Sequence, residues 1–232
     1  MTIAIIAAMQ KELELILGLM RRDGDIATEE FEGVEIHRGR LAGKDVVAAK
    51  CGIGKVNSAL RTDAVIRYCS PDMLINSGVA GGADASMHIG DVLVVDGVAY
   101  HDVWCGPGTE PGAADGYPRV LIPSGRYLAV MRAIHPDGED CYRYGLICSG
   151  DRFISTPEEV ERIKSLFPEA LGCDMESASI AQTCIRRDVP FMVVRVMSDM
   201  PGGGENISEY NNFWNDAPLA TFKAVESLIE NI

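Results

Sequence analysis

Three carboxylates each follow a short apolar run that predicts a buried β-strand. Glu12 comes shortly after the first such run, Glu176 comes soon after a later one, and Asp199 ends the run Val189–Asp199. The carboxyl ends of strands in an α/β fold face the ligand crevice, so these acids could converge on one site and transfer protons there. The ordinary alternatives are first-turn helix acids for Glu12 and Glu176, and a cap residue for Asp199.

Other site chemistries have little support in the sequence, and we expect neither a metal nor a cofactor. The chain has no Walker loop and no G-x-S-x-G elbow, and Gly52-Ile53-Gly54 lacks the third glycine of a dinucleotide fingerprint. Gly78–Gly82 predicts a small-residue turn after a strand, where a backbone could approach a ligand closely. The four histidines show no ligand spacing: His37, His88, His101 and His135.

Composition limits the classes of partner. The 232 residues include 21 basic and 34 acidic side chains, which give a formal net charge of −13. Such a surface repels nucleic acid and anionic membranes, so we expect neither as a partner. A small-molecule substrate is compatible with this charge.

Cysteine usage and the apolar runs predict a soluble, cytoplasmic protein. The seven cysteines are odd in number, and none forms a C-x-x-C pair. This pattern favours a reducing compartment over a disulfide framework. The apolar start of the chain lacks a basic n-region and is interpreted as a strand rather than a signal peptide. No apolar stretch reaches the ~20 residues of a membrane helix.

Short apolar runs alternate with helical patterns along the chain, which predicts one α/β domain over 1–232 with a mixed sheet. We expect a Gly- and Pro-rich loop over 104–118 and a last helix that begins or kinks at Pro218. Helical patterns cover Gln10–Arg21, Lys55–Cys69, Gly125–Ile134, Pro157–Ser165 and Met175–Arg187. In the second of these helices, we expect Val56, Ala59, Leu60, Ala64, Val65 and Ile66 to face inward.

Six motifs in a fixed order cover nearly the whole chain. Together they resemble the 5'-methylthioadenosine/S-adenosylhomocysteine nucleosidases of the nucleoside phosphorylase superfamily. The motifs are Ile5–Glu12, Gly52–Asn57, Asn76–Gly82, Ser149–Ile154, Asp174–Ala178 and Val194–Asp199. The resemblance implies a three-layer α/β/α fold with a central mixed, twisted β-sheet. It also implies hydrolysis of an N-glycosidic bond, with release of adenine and a 5-thio-substituted ribose.

The resemblance also implies roles for individual residues. Asp199 would protonate purine N7, with Ser198 orienting it, and Glu12 would activate the attacking water. Arg195 would lie near the same site, although a structural ion pair is its ordinary alternative. Burial would raise the pKa of Asp199 above its unperturbed value of ~3.9, so that it could hold a proton.

Further residues are implied to bind the substrate. Glu176 would accept hydrogen bonds from the ribose hydroxyls, Met175 would pack on the sugar, and Phe153 would stack on adenine beside the backbone of Ile154. Val79 stands where many relatives carry serine, which removes a hydroxyl near the sugar.

The resemblance further implies a homodimer, because in relatives a neighbouring subunit completes the 5'-substituent pocket. Trp104 and Phe213 are possible contributors to that pocket, although Phe213 could equally be helix packing.

Three alternatives stay open at the level of sequence. A nucleoside phosphorylase of the same fold would need cationic groups for phosphate, for which Lys55 and Arg40 are the nearest candidates. A futalosine or aminodeoxyfutalosine hydrolase would use the same chemistry on another substrate, and 5'-deoxyadenosine is a further possible substrate. A nucleoside-binding module without catalysis is the third.

Overall fold

The computed structural model describes residues 1–201, 206–216 and 218–232. Its strands are β1 Thr2–Ala7, β2 Ala27–Phe31, β3 Val34–Leu41, β4 Lys44–Lys50, β5 Met73–Gly82, β6 Val92–Tyr100, β7 Val120–Leu121, β8 Tyr142–Ser149, β9 Ala170–Asp174 and β10 Phe191–Asp199. Its helices are α1 Gln10–Met20, α2 Lys55–Cys69, α3 Gly125–Ile134, α4 Pro157–Leu166, α5 Ser177–Arg186, α6 Asn206–Asp216 and α7 Pro218–Glu230. No helix within these ranges is long and apolar enough to cross a membrane.

All the strands belong to one mixed sheet, part of which closes on itself. β5 pairs with β10, β10 with β6, β6 with β8, β8 with β9, and β9 returns to β5. On its other edge β5 pairs in parallel with β1, and the sheet continues through β4, β3 and β2. β5 is therefore the strand at which the closed and open parts of the sheet meet.

Helices cover both faces of the sheet, which confirms the three-layer α/β/α arrangement. Side chains of α1, α3 and α7 pack on one face, and those of α2 and α5 pack on the other. Alternating strand residues supply the two cores, as expected for a sheet buried on both faces: Ile3 and Ile5 belong to the first, and Ala4 and Ile6 to the second. A smaller third cluster joins α4 to β8 and β9.

The sequence located most helices, and α2 and α3 have the predicted bounds. The prediction of a turn over Gly78–Gly82 is wrong. These residues continue β5, because Gly78 and Val79 pair with β10 while Gly81 and Gly82 also pair with β9. β2 was not predicted, because its residues lie at the sheet edge and are largely exposed, so they show no apolar alternation.

The predicted inward face of α2 is partly wrong. Val56 is 69% exposed and Leu60 is 67% exposed, whereas Val65 is buried as expected. The helix instead packs through small polar side chains, with Ser58 Oγ 2.6 Å from Ser179 Oγ of α5. The helical pattern and the buried Ala64, Val65 and Ile66 were predicted correctly. The first half of the helix was misassigned, because polar residues form its buried contact.

Gly78 lies where no side chain fits. A Cβ built there would overlap the Glu12 carboxylate and lie 2.9 Å from Nη1 of Arg195. We predict that Gly78→Ala lowers the free energy of unfolding by about 1–3 kcal/mol, as overpacking of a core does. Urea denaturation measures this change.

The matched control is Gly18→Ala in α1, where nothing lies within 4 Å of the added methyl group. This variant should gain stability of about 0.5–1 kcal/mol, because alanine favours a helix interior over glycine. A Gly78→Ala protein as stable as the wild type would contradict the close contact.

Candidate active site

The three carboxylates identified from the sequence lie around one cavity. Glu12, Glu176 and Asp199 all line it, and the convergence expected from their strand-end positions is confirmed. Among the described residues, the lining consists of Ala8, Met9, Glu12, Ile53, Val79, Ala80, Gly81, Arg152, Phe153, Ile154, Cys173, Asp174, Met175, Glu176, Ser198, Asp199 and Tyr210. The ends of β1, β5, β8, β9 and β10 supply most of these residues.

Glu12 lies in the first turn of α1 and is 2% exposed. Its Oε2 accepts a hydrogen bond from the backbone N–H of Met9 at 2.8 Å, and its Oε1 accepts one from Val79 at 2.9 Å. Burial raises the pKa of Glu12, while the nearby Arg195 guanidinium and the backbone donors oppose the rise. The side chain therefore caps its helix and also faces the cavity as a desolvated carboxylate.

Asp199 ends β10 and is 2% exposed. The Ser198 hydroxyl donates to its Oδ1 at 2.6 Å and lies 3.3 Å from the carbonyl oxygen of Ala80. Both Ser198 and Asp199 line the cavity. The hydroxyl thus fixes the orientation of the carboxyl group.

Glu176 lies between β9 and α5 and is 6% exposed. Its Oε1 accepts the backbone N–H of Gly54, at the N-terminus of α2, at 2.9 Å. Burial raises the pKa of Glu176, and the neighbouring charge of Asp174 adds to the rise. Met175, beside it, also lines the cavity.

Arg195 lies behind the cavity wall and not among the lining residues. It is 1% exposed, and its Nε and Nη2 donate to Oδ2 of Asp174 at 3.0 and 2.9 Å. The contact between Arg195 and Asp174 is the structural ion pair that was the alternative interpretation of Arg195 from the sequence. The guanidinium still acts on the site, because its charge opposes the rise in pKa of both Glu12 and Glu176.

Aromatic rings form one wall of the cavity. Phe153 is 46% exposed and meets Tyr210 edge-on, with ring centroids 5.9 Å apart. Ile154 lies beside Phe153 in the lining, as the sequence suggested. Tyr210 was not predicted, because no separate helix was assigned to α6, although Tyr210, Phe213 and Trp214 show helical spacing.

The two candidates for a 5'-pocket do not line this cavity. Trp104 is 62% exposed, and Phe213 is 4% exposed within the core beneath α6. Phe213 meets the ring of Trp214 edge-on, with centroids 5.5 Å apart. The structure therefore shows the helix packing that was the alternative for Phe213, and it places Trp104 at the surface.

The lining is rich in carboxyl groups. Among the described residues, four carboxyl groups and one cationic side chain, Arg152, line the cavity, and Arg152 forms an ion pair with Glu159 outside the lining. Within the described part of the chain, no group of three or more His, Cys, Asp or Glu side chains could hold a metal ion. The arrangement suits proton transfer to and from a neutral ligand.

Comparisons with known proteins agree with this geometry. A family model described as the phosphorylase superfamily matches residues 2–230. A 5'-methylthioadenosine/S-adenosylhomocysteine nucleosidase of Lysinibacillus sphaericus is 39% identical over 210 residues, which cover 90% of each chain.

Two solved structures have the same fold. One is a 5'-methylthioadenosine/S-adenosylhomocysteine nucleosidase from S. pneumoniae with a transition-state inhibitor. Its TM-score is 0.93 at 31% identity, with 100% of this chain and 99% of that chain covered. The other is a futalosine hydrolase of Helicobacter pylori, with a TM-score of 0.91 at 28% identity and coverage of 100% and 98%. The chain therefore belongs to the phosphorylase superfamily and, within it, to the 5'-methylthioadenosine/S-adenosylhomocysteine nucleosidase family.

Proposed function

We propose that this protein hydrolyses the N-glycosidic bond of 5'-methylthioadenosine and S-adenosylhomocysteine, releasing adenine and a 5-thio-substituted ribose. The observation that carries the proposal is a cavity whose described lining holds four carboxyl groups and one compensated arginine. Cleavage of this bond builds positive charge on the ribosyl group, which an ionised carboxylate in the lining stabilises. The family relationship and the resemblance of the fold to inhibitor-bound nucleosidases support the same reaction.

Asp199 serves as the general acid at purine N7. Protonation there makes adenine a better leaving group, and Asp199, which is 2% exposed, lines the cavity in which the base would lie. Ser198, at 2.6 Å, orients the carboxyl group toward the base.

Glu12 serves as the general base that binds and activates the attacking water. The logic is that of an inverting glycosidase, in which two carboxyl groups flank the bond with room for water between them. Two backbone N–H groups hold the Glu12 carboxylate in place, and the buried charge of Arg195 favours its ionised form.

The remaining lining residues bind the nucleoside. Glu176 accepts hydrogen bonds from the ribose hydroxyls, and Met175 and Val79 pack against the sugar. Phe153 stacks on adenine, a contact typically worth ~1–3 kcal/mol per base, and the backbone of Ile154 contacts the edge of the base. These assignments rest on the shared cavity and on the family resemblance.

A phosphorylase reaction fits the charges poorly. Lys55 Nζ donates to both carboxylate oxygens of Asp102, at 2.8 and 2.7 Å, and Arg40 donates to the carbonyl oxygen of Gly43. Neither lines the cavity, whose carboxylates would repel a phosphate dianion. Arg195 lies opposite Gly78 on the adjacent strand, but its charge is compensated by Asp174.

A second candidate is hydrolysis of futalosine or aminodeoxyfutalosine. The specific observation in its favour is the TM-score of 0.91 with a futalosine hydrolase. The same acid and base would serve, and the group at the 5'-position would differ. 5'-Deoxyadenosine belongs to the same set of substrates.

We also propose that the protein is a homodimer whose interface includes the exposed face of α2. Ile53, Val56 and Leu60 are 50%, 69% and 67% exposed there, beside a groove lined by Ala59 and Tyr100. Exposed apolar groups grouped in this way are typical of an interface. The neighbouring subunit's Trp104 would complete the 5'-substituent pocket, which accounts for its exposure in a single chain.

We further infer a cytoplasmic location. All seven cysteines are free thiols, and burial raises the pKa of the Cys184 and Cys51 thiols. Free thiols in this number are typical of a reducing compartment.

The function is tested by incubating the purified protein with methylthioadenosine, adenosylhomocysteine, 5'-deoxyadenosine and aminodeoxyfutalosine, with and without phosphate. We expect adenine from the first two substrates at rates that phosphate does not change. Chromatography of the released base and sugar gives the result. A ribosyl phosphate product would establish a phosphorylase, and binding without adenine release would establish a binding module.

The roles of the acid and the base are tested by Asp199→Asn and Glu12→Gln. Each should lower kcat/KM by at least ~100-fold, because each removes a positioned proton-transfer group. Glu14→Gln, an exposed acid on the same helix as Glu12, is the control and should keep wild-type activity. Near-normal turnover by either active-site variant removes that residue from its assigned role.

The dimer is tested by Val56→Asp combined with Leu60→Asp. Sedimentation velocity should show a dimer for the wild type and a monomer for the variant, because two charges would be buried in the interface. Ile122→Asp is the control, since Ile122 is 62% exposed but does not line the groove beside α2. A monomeric wild type, or a variant that stays dimeric, would contradict the proposed interface.

A further inference from the structure

Two consecutive residues of α6 contact segments on either side of β5, the one that follows β10 and the one that follows β1. The carboxylate of Glu209 accepts a hydrogen bond from the backbone N–H of Met200, with Oε2 at 2.9 Å. The hydroxyl of Tyr210 donates to the thioether sulfur of Met9 at 3.1 Å. Neighbouring residues on an α-helix point about 100° apart, so one helix can reach both sides.

The contact of Glu209 holds the backbone that follows the proposed acid. Met200 is the residue directly after Asp199, which ends β10. The side chain of Asp199 is held by Ser198 and its backbone pairs with Gly81 of β5, while Glu209 of α6 holds the N–H of the next residue. Loss of the Glu209 carboxylate would leave the end of β10 without this hydrogen bond.

The contact of Tyr210 holds the residue that positions the proposed base. Met9 is the N-cap of α1, and its backbone N–H donates to Oε2 of Glu12 at 2.8 Å. The side chain and the backbone of Met9 thus link the Tyr210 hydroxyl to the Glu12 carboxylate.

Ring contacts fix the placement of Tyr210 on α6. Its ring meets Phe153 edge-on on one side and Trp214 edge-on on the other, with centroids 5.9 and 6.2 Å away. The ammonium group of Lys11, from the first turn of α1, lies 5.5 Å from the centroid of the Trp214 ring. α6 is therefore attached to α1 by a second contact besides the Tyr210 hydroxyl.

We propose that Glu209 and Tyr210 are positioning residues, which together set the acid Asp199 and the base Glu12 at their working separation from a single helix. The inference rests on the proposed function of those two carboxyl groups. Catalysis by two groups acting on opposite sides of one bond depends steeply on their geometry, and a displacement of ~1 Å can cost ~100-fold in rate. Glu209 does not line the cavity, and its hydrogen bond to Met200 connects it to the segment that carries Asp199.

The test compares Glu209→Ala, Glu209→Gln and Tyr210→Phe by steady-state kinetics on methylthioadenosine. Glu209→Ala should lower kcat about tenfold with KM nearly unchanged. This loss corresponds to an increase of ~1.4 kcal/mol in activation free energy. Glu209→Gln should restore most of kcat, because its amide oxygen can still accept the N–H of Met200. Tyr210→Phe keeps the ring contacts, loses only the hydroxyl, and should also lower kcat about tenfold.

Asn212→Ala is the matched control, because Asn212 is an exposed residue of α6. It should keep wild-type kcat, and all the variants should keep the wild-type melting temperature. Wild-type kcat in both Glu209→Ala and Tyr210→Phe overturns the inference, as does an equal loss in Glu209→Ala and Glu209→Gln. Failure of the proposed function itself would be seen separately, as an inactive wild type or active Asp199→Asn and Glu12→Gln variants.

Discussion

The burial of several carboxyl groups around one cavity is the constraint on which the rest of the structure depends. Glu12 and Asp199 are each 2% exposed and Glu176 is 6% exposed, in a site whose wholly buried cation, Arg195, is already paired with Asp174. Buried charges are costly unless hydrogen bonds and opposite charges compensate them. Stability alone would favour apolar side chains at these positions. The presence of carboxyl groups there therefore points to a chemical role, because carboxyl groups with shifted pKa values cluster at functional sites.

The fold supplies that compensation through its backbone. β5 lies at the junction of the closed and open parts of the sheet. It carries Val79, whose backbone N–H donates to Glu12. The preceding residue is Gly78, where a side chain would overlap the Glu12 carboxylate. The N-terminus of α2 similarly provides the N–H of Gly54 to Glu176. Hydrogen bonds of this kind hold each carboxylate in one orientation, and the nearby charge of Arg195 favours the ionised form of both. An ionised carboxylate can then stabilise a ribosyl cation.

The sequence was sufficient to predict the carboxylates but not the contacts that come from outside the strand pattern. Glu12 and Asp199 could be located because strand ends in an α/β fold meet at one edge, and the ordered motifs supported that placement. Tyr210 was missed because it reaches the cavity from α6, a helix that packs against β10, and not from the end of a strand. Leu60 was assigned to the core because helical periodicity gives a face but not its direction, and polar serine contacts bury the opposite face of α2. Phe213 shows the same limit, since an aromatic residue near a site can equally belong to the core beneath it.

The central claim is that water, activated by Glu12, attacks the anomeric carbon from the face opposite the departing adenine. The most direct measurement is the stereochemistry of the product when methanol competes with water, because the resulting methyl riboside does not mutarotate. NMR of the product from methylthioadenosine, a β-nucleoside, should show only the α-anomer, as two flanking carboxyl groups with water between them require. Formation of the β-anomer would indicate retention through a covalent intermediate and would contradict the account.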